Sequence, residues 1–223
     1  MGILIALTII TSWCSVLFLL MAFSPAEFSN PLMYAGMALM TFLYTGLFIT
    51  AHDSMHGTVS KNRFANDLIG RISCFLFASF SYGNLLRKHH MHHKDPTGEA
   101  DPDFGNGAGN FLLWFIRFIL EYSTVTQFIL MALIFNVISY FYGDGPVIAY
   151  WLIPSVLSSI QLFYFGTYLP HRDPESGLQA PHFARSQKKN HLTAFLSCYF
   201  FGYHHEHHAS PGTPWWKLHK LVS

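Results

Sequence analysis

Four apolar stretches, each long enough to cross a bilayer, decide most of what this chain can fold into. They run from Ile3 to Phe23, from about Leu32 to Ala51, from about Thr124 to Tyr142 and from about Val147 to Leu169. A helix needs roughly 20 apolar residues to cross the hydrocarbon core. Only 11% of the residues are charged and 51% are hydrophobic, against roughly 25% charged in an average soluble domain, which is too little charge to cover a soluble surface. The sequence therefore predicts an all-α integral membrane protein with four transmembrane helices, forming one domain over residues 1–223.

The first stretch has neither a basic leader nor a small-residue cleavage site, so it reads as a retained helix. Ala6 stands where a myristoylation signal needs Ser or Thr. Ser24 to Pro31 reads as a short turn, and Gly143-Asp144-Gly145-Pro146 as a tight one. Pro154 is expected to kink the fourth span, a fault that neighbouring helices repair in a membrane. Two shorter stretches, Leu68–Tyr82 with Arg71 and Phe111–Tyr122 with Arg117 and Glu121, read as helices in the membrane interface. Cys14, Cys74 and Cys198 lie in apolar surroundings without metal-ligand spacing and read as packing residues. A net charge of +1 gives no support for a nucleic-acid partner.

Charge sets the expected orientation. The two turns carry Glu27 and Asp144 but no Lys or Arg, whereas all 13 Lys and Arg fall on the other side or in the interfacial helices. The positive-inside rule puts both termini and the middle loop in the cytoplasm. All 14 histidines fall on that same side.

Three histidine clusters stand out: His52-Asp-Ser-Met-His56, His89-His90-Met-His92-His93 and His204-His205-Glu-His207-His208. A helix brings residues three and four apart onto one face, so each cluster can offer several imidazoles to one metal. The adjacent pairs His92/His93 and His207/His208 diverge by about a third of a turn and can reach two metals. His171, leaving the fourth span, is a ninth candidate. Eight or nine neutral nitrogen ligands exceed the needs of one ion, so two metals are implied; imidazole suits iron, zinc, copper or nickel. Asp53, His90, His205 and Glu206 read as residues that orient the ligating rings. His182, His191 and His219 read as surface or packing residues, with His182 and His191 flanking a solvated loop that holds Lys188 and Lys189. Asp101 and Asp103 read as loop or helix-capping residues. No catalytic side chain beyond the metal centre is indicated. A histidine-rich transporter is the alternative outside enzymology, but transporters place their ligands near the bilayer midplane.

The clusters match the HxxxH, HxxHH and HxxHH boxes of the membrane fatty-acid desaturase and hydroxylase superfamily. Within it, the chain resembles the bacterial and cyanobacterial β-carotene ketolases. The resemblance rests on His52-Asp53-Ser54-Met55-His56-Gly57, Asp101-Pro102-Asp103-Phe104, Phe165-Gly166-Thr167-Tyr168-Leu169-Pro170-His171-Arg172, Phe201-Gly202-Tyr203-His204-His205-Glu206-His207-His208 and Pro214-Trp215-Trp216. It implies metal ligation by His52, His56, His89, His92, His93, His204, His207 and His208, with His171 as the further ligand seen in related enzymes. It also implies two Fe²⁺ ions and O₂, acting on the C4 methylene of a carotenoid β-ionone ring. The ketone forms through two hydroxylations and loss of water, taking β-carotene to echinenone and canthaxanthin, with zeaxanthin to astaxanthin as an extension. Ferredoxin and its reductase are the implied electron donors, since the chain has a short N-terminus and no fused carrier. The implied setting is a bacterial inner or cyanobacterial membrane. A carotenoid hydroxylase or a fatty-acid desaturase would use the same metal centre. Phe75, Phe77, Phe80, Tyr82, Phe163, Tyr164 and Phe165 could line a groove for a flat polyene entering from the bilayer, although such aromatics ordinarily pack cores or anchor interfaces.

Overall fold

The computed structural model describes residues 1–104, 110–172 and 177–222, and its elements are all helical, with no strand among the described residues. In chain order they are α1 (Gly2–Phe23), α2 (Pro31–Met55), α3 (Arg63–Ala78), α4 (Tyr82–Lys94), α5 (Phe111–Tyr122), α6 (Val125–Tyr142), α7 (Asp144–His171), α8 (His191–Cys198), α9 (His204–Ala209) and α10 (Trp215–Leu218). Among the described residues, helices α1, α2, α6 and α7 are the four long and apolar enough to span a membrane.

The helix starts follow local chemistry. Asn30, Asn62, Ser81, Asn110, Thr124 and Asn190 each accept a hydrogen bond from a backbone N–H of the first turn of the helix that follows, satisfying a donor that no earlier carbonyl can reach. At Thr124 the bond is reciprocated by Gln127, whose Nε2 also donates to Ala78 O at 2.9 Å and ties α6 to the end of α3. Gln127 is the buried residue of α6; most of the helix faces outward.

Helix α2 is the central post. Met40, Tyr44, Leu47 and Ile49 on it are fully buried, and it packs against α1, α3 and α7. Lipid is as apolar as these side chains, so close packing and hydrogen bonds, rather than release of water, hold such helices together. The bonds are specific: Thr45 Oγ1 lies 2.9 Å from Ser158 Oγ and donates to Gln161 Oε1 at 2.7 Å, fastening α2 to α7. Gln161 Nε2 donates in turn to Ser197 O of α8. Helix α8 reaches down the flank of α2, where Tyr199 stacks on Phe42 with ring centroids 4.5 Å apart. This descent was not foreseen from the sequence, because α8 is too short to register as an apolar span.

Span boundaries differ from expectation at functional places. Helix α2 continues past Ala51 to Met55, so the first histidine box lies on its last turn with His56 as its cap. The turn expected over Gly143–Pro146 narrows to Gly143, whose φ of 79° reverses the chain, while Asp144, Gly145 and Pro146 already belong to the first turn of α7, where a missing N–H costs nothing. Helix α7 widens into π turns at Ile148–Leu152 and Tyr164–Tyr168, each ending two residues before a proline, Pro154 and Pro170. Proline lacks the N–H for a bond four residues back and its ring crowds that carbonyl; just ahead of Pro170 the helix is already widened, with Leu169 N donating five residues back to Tyr164 O.

The α2–α3 contact is close enough to test. A Cβ on Gly70 would overlap the Tyr82 ring and come within 2.9 Å of Ser54 Cβ. Gly70→Val should therefore destabilise the protein by about 1–3 kcal/mol, read as a lower thermal unfolding midpoint in detergent. A variant melting with the wild type would contradict this packing.

Candidate metal centre

The three histidine boxes converge because four elements end at one place: α2 brings His52 and His56, α4 brings His89, His92 and His93, α7 brings His171, and α9 brings His204, His207 and His208. The nine side chains sort into two groups, each able to offer nitrogen atoms within 4.8 Å of one another. One holds His52, His56, His89, His93 and His207; the other holds His92, His171, His204 and His208. His92 and His93, adjacent in sequence, go to different groups, as do His207 and His208. The helical advance of about 100° per residue separates each pair.

The spacing within the groups is that of ligands around a shared centre. Nε2 atoms lie 2.7 Å apart between His56 and His89, 3.0 Å between His93 and His207, 3.1 Å between His92 and His208, and 3.0 Å between His204 and His208. At a metal–imidazole bond of roughly 2.0–2.1 Å, ligands at right angles stand about 3 Å apart. Among the described residues, His52 Nε2 and His171 Nε2 are buried without a hydrogen-bond partner. A buried nitrogen of this kind is costly, and coordination removes the cost. The donor set and its orphaned atoms fit two metal ions.

Electrostatics agree. A ligating imidazole must be neutral. Burial, and then the neighbouring imidazoles, push His89, His204, His207 and His208 well below the ordinary histidine value. Burial and then His90 bring His56 down to about 4, and burial and then His56 bring His93 to about 2. His92 is the exception. Burial presses it down, but Asp103 and Asp101 outweigh that and hold it above its ordinary value.

The partner of His92 is the site residue that the sequence left in a loop. Asp101 does serve the loop, accepting from Thr97 N at 2.8 Å and Asp103 N at 2.9 Å, but both its oxygens also lie 3.0 Å from His92 Nδ1. That contact fixes the ring and leaves Nε2 turned toward the group. Asp103 in turn accepts from Tyr122 OH, and its carbonyl accepts from Trp114 Nε1 at 2.7 Å, so α5 supports the same loop. The signal was the acidic Asp101-Pro102-Asp103 run directly after the second box.

The residues expected to orient imidazoles make further contacts. His90 Nε2 approaches Met55 O at 3.2 Å and His205 Nδ1 approaches Ala184 O at 3.2 Å; each points away from the ligand face because it sits one position off that stripe. Asp53 accepts from Trp215 N at 3.1 Å and stands 3.9 Å from His52 Nδ1, so it anchors the C-terminal Pro-Trp-Trp segment. Glu206 accepts from Ser186 Oγ. The segment between His182 and His191, read as a solvated loop, is stitched to the centre: Arg185 N donates to Pro170 O at 3.1 Å and Gln187 N to Gly202 O at 2.8 Å. Phe183 O, at its start, holds His171 Nδ1 at 2.9 Å. His182 lies at the margin, its ring 6.4 Å from that of His208, and belongs to neither group. His191 is exposed and bonds Tyr203 OH at 2.9 Å.

Beneath the histidines lies an apolar cavity of about 60 Å³, whose lining includes His52, His89, His92 and His204 together with Phe77, Phe80 and Phe118. Of the aromatics expected to line a groove, Phe77 and Phe80 do so. Phe75 and Tyr164 are exposed at 50% and 39%, and Phe163 packs against Trp114 and Phe118.

Residues 29–135 and 117–223 match the family model for fatty acid desaturase. Zeaxanthin 4-ketolase of Chlamydomonas reinhardtii is 42% identical over 81% of this chain, which spans only 42% of that protein's length. Beta-carotene ketolase of Paracoccus sp. (strain N81106 / MBIC 01143) is 38% identical over 94% of this chain and 87% of its own length. Dihydrorhizobitoxine desaturase of Bradyrhizobium elkanii is more distant, 28% identical over 78% of this chain. No solved structure matches the chain.

Replacing Asp101 by Ala should free the His92 ring and lower metal affinity about 10- to 100-fold, read by chelator competition on purified protein. Unchanged affinity would reduce Asp101 to a loop residue.

Proposed function

The chain belongs to the fatty acid desaturase family, and from that premise we propose that it is a membrane carotenoid 4-ketolase, working as a single unit over residues 1–223. The reading is carried by its 38% identity to a beta-carotene ketolase along 87% of that enzyme's length, joined to an apolar cavity that ends on four of the nine clustered histidines. The proposed ligands are His52, His56, His89, His93 and His207 for one iron, and His92, His171, His204 and His208 for the other. When bound, the two ferrous ions supply the activation of O₂ that breaks an otherwise unreactive C–H bond.

The protein's own contribution is placement and dryness. Phe77, Phe80 and Phe118 offer a wall for the flat, conjugated end of a carotenoid, which dissolves in the bilayer and reaches the cavity from the membrane side. Asp101 and the Phe183 carbonyl hold His92 and His171 by their outer nitrogens. Burial holds His56, His89, His93, His204, His207 and His208 below the ordinary histidine value, the neutral form that ligation needs. The ring's C4 methylene is hydroxylated twice, and the geminal diol loses water to leave the ketone. Reducing equivalents come from an external ferredoxin and its reductase. The transporter reading has no support in the histidines' position, since they gather at helix ends rather than midway along the spans.

Orientation follows from charge: the end of the bundle holding the histidines faces the cytoplasm, and Asp144 faces the opposite compartment. A cysteine introduced at position 144 should react with a membrane-impermeant thiol reagent added to that opposite side of the membrane. Labelling only from the cytoplasm would reverse the topology.

Expression in bacteria that make β-carotene should yield ketocarotenoids by pigment chromatography, and purified protein should carry about two irons per chain. His171→Ala should lower iron content and cut ketone yield at least about tenfold, whereas His191→Ala should leave both near wild type. Unaltered carotenoids alongside altered acyl chains would instead favour a desaturase. Full iron content in His171→Ala would remove that residue from the ligand set.

A further inference from the structure

The cavity beneath the histidines has four polar lining residues other than histidine: Asp103, Tyr122, Ser159 and Thr167. Three are engaged. Tyr122 OH donates to Asp103, and Ser159 Oγ donates to Ser155 O at 2.9 Å. Thr167 is only 3% exposed, yet its hydroxyl makes no hydrogen bond with any described residue. It does not even donate back into its own helix, the usual resort of a buried helical threonine. It lies in the second π turn of α7, four residues before His171, and lines the cavity together with His92 and His204. A hydroxyl that no described residue bonds and that opens on a mostly apolar cavity marks a place where a ligand brings one polar atom, since such a group gains by finding a partner.

The ketolase reading, on which this inference rests, supplies such an atom. In the first turnover the C4 methylene becomes a secondary alcohol: one oxygen atom of O₂ enters the C–H bond, and two electrons and two protons reduce the other to water. The second turnover repeats this at the remaining C4–H bond, and the geminal diol expels water to give the ketone. Between the two, the intermediate differs from the starting hydrocarbon by a single hydroxyl. We propose that the Thr167 hydroxyl hydrogen-bonds the C4 oxygen of this half-oxidised ring and retains the alcohol for the second oxidation. Thr167 thereby acts on the outcome of the reaction, ketone rather than alcohol, more than on the first hydroxylation.

Thr167→Val keeps the shape and removes the hydroxyl; Thr167→Ser keeps the hydroxyl. In cells making β-carotene, at matched expression, the valine variant should raise the ratio of 4-hydroxy to 4-keto products severalfold, and the serine variant should restore the wild-type ratio. Binding gives a second readout. Iron-loaded protein under argon, titrated by tryptophan quenching, should prefer 4-hydroxy-β-carotene over β-carotene by about 2- to 12-fold, the worth of one hydrogen bond. Thr167→Val should abolish that preference. Thr167→Ala carries the same measurements if the valine variant does not fold. A variant without the hydroxyl that still prefers the alcohol and still makes ketone overturns the assignment alone. Wild-type protein that neither binds nor converts either carotenoid overturns the ketolase reading together with it.

Discussion

An imidazole taken out of water must give each ring nitrogen a partner, and this protein gathers nine imidazoles into two small groups. Much of the architecture can be read as a response to that demand. Asp101 and the Phe183 carbonyl take the outer nitrogens of His92 and His171, which leaves the inner ones facing the groups. Burial first, and then the neighbouring rings, keep His56, His89, His93, His204, His207 and His208 neutral. The donors left over are the ones that two cations would share, so the same arrangement that is awkward for the empty fold is favourable for the loaded one.

Helix α7 shows how this demand reaches into the membrane. It begins at the far turn, where Tyr150 OH lies 3.0 Å from Ser24 Oγ, and crosses beside α2, held by Ser158 and Gln161. It delivers Thr167 to the cavity and then His171 to the histidines. The C-terminal segment closes the circuit. Gln161 reaches α8 through Ser197 O, and the Trp215 N–H reaches Asp53 beside the first box. A contact in mid-span and a contact at the metal site thus constrain the same few elements.

The parts legible in the sequence were those written as periodicity. Apolar length marked the four spans, and i, i+3 and i+4 spacing marked which box histidines could share a face and that His92 and His93 must part. Spacing along one helix, however, carries no information about what another segment brings to it. Asp101 serves its loop and His92 at once, and the second role exists only because the chain folds back. The stretch between His182 and His191 reads as solvated because it holds Arg185, Gln187, Lys188 and Lys189; backbone bonds from Arg185 to Pro170 and from Gln187 to Gly202 tie it down, which composition does not record. Glu206 and Asp53 stand inside the boxes as natural candidates to steer imidazoles; Asp53 stands 3.9 Å from His52 Nδ1 and also accepts from Trp215 N, while Glu206 accepts from Ser186 Oγ.

The two π turns of α7 each add one residue beyond what an α-helix of the same rise would use. Everything that follows such an insertion is rotated by about 100°, and the second one lies between the residues that grip α2 and the residue that meets the histidines. One stretch of helix can thereby face two ways. In a lineage, this makes the helix far more tolerant of exchange than of change in length. Between Tyr164 and Tyr168 the side chains can drift, but losing one residue would restore a regular helix and swing His171 off its target. The spacing between Gln161 and His171 should therefore be inherited more strictly than the identities of the aromatic residues that fill it.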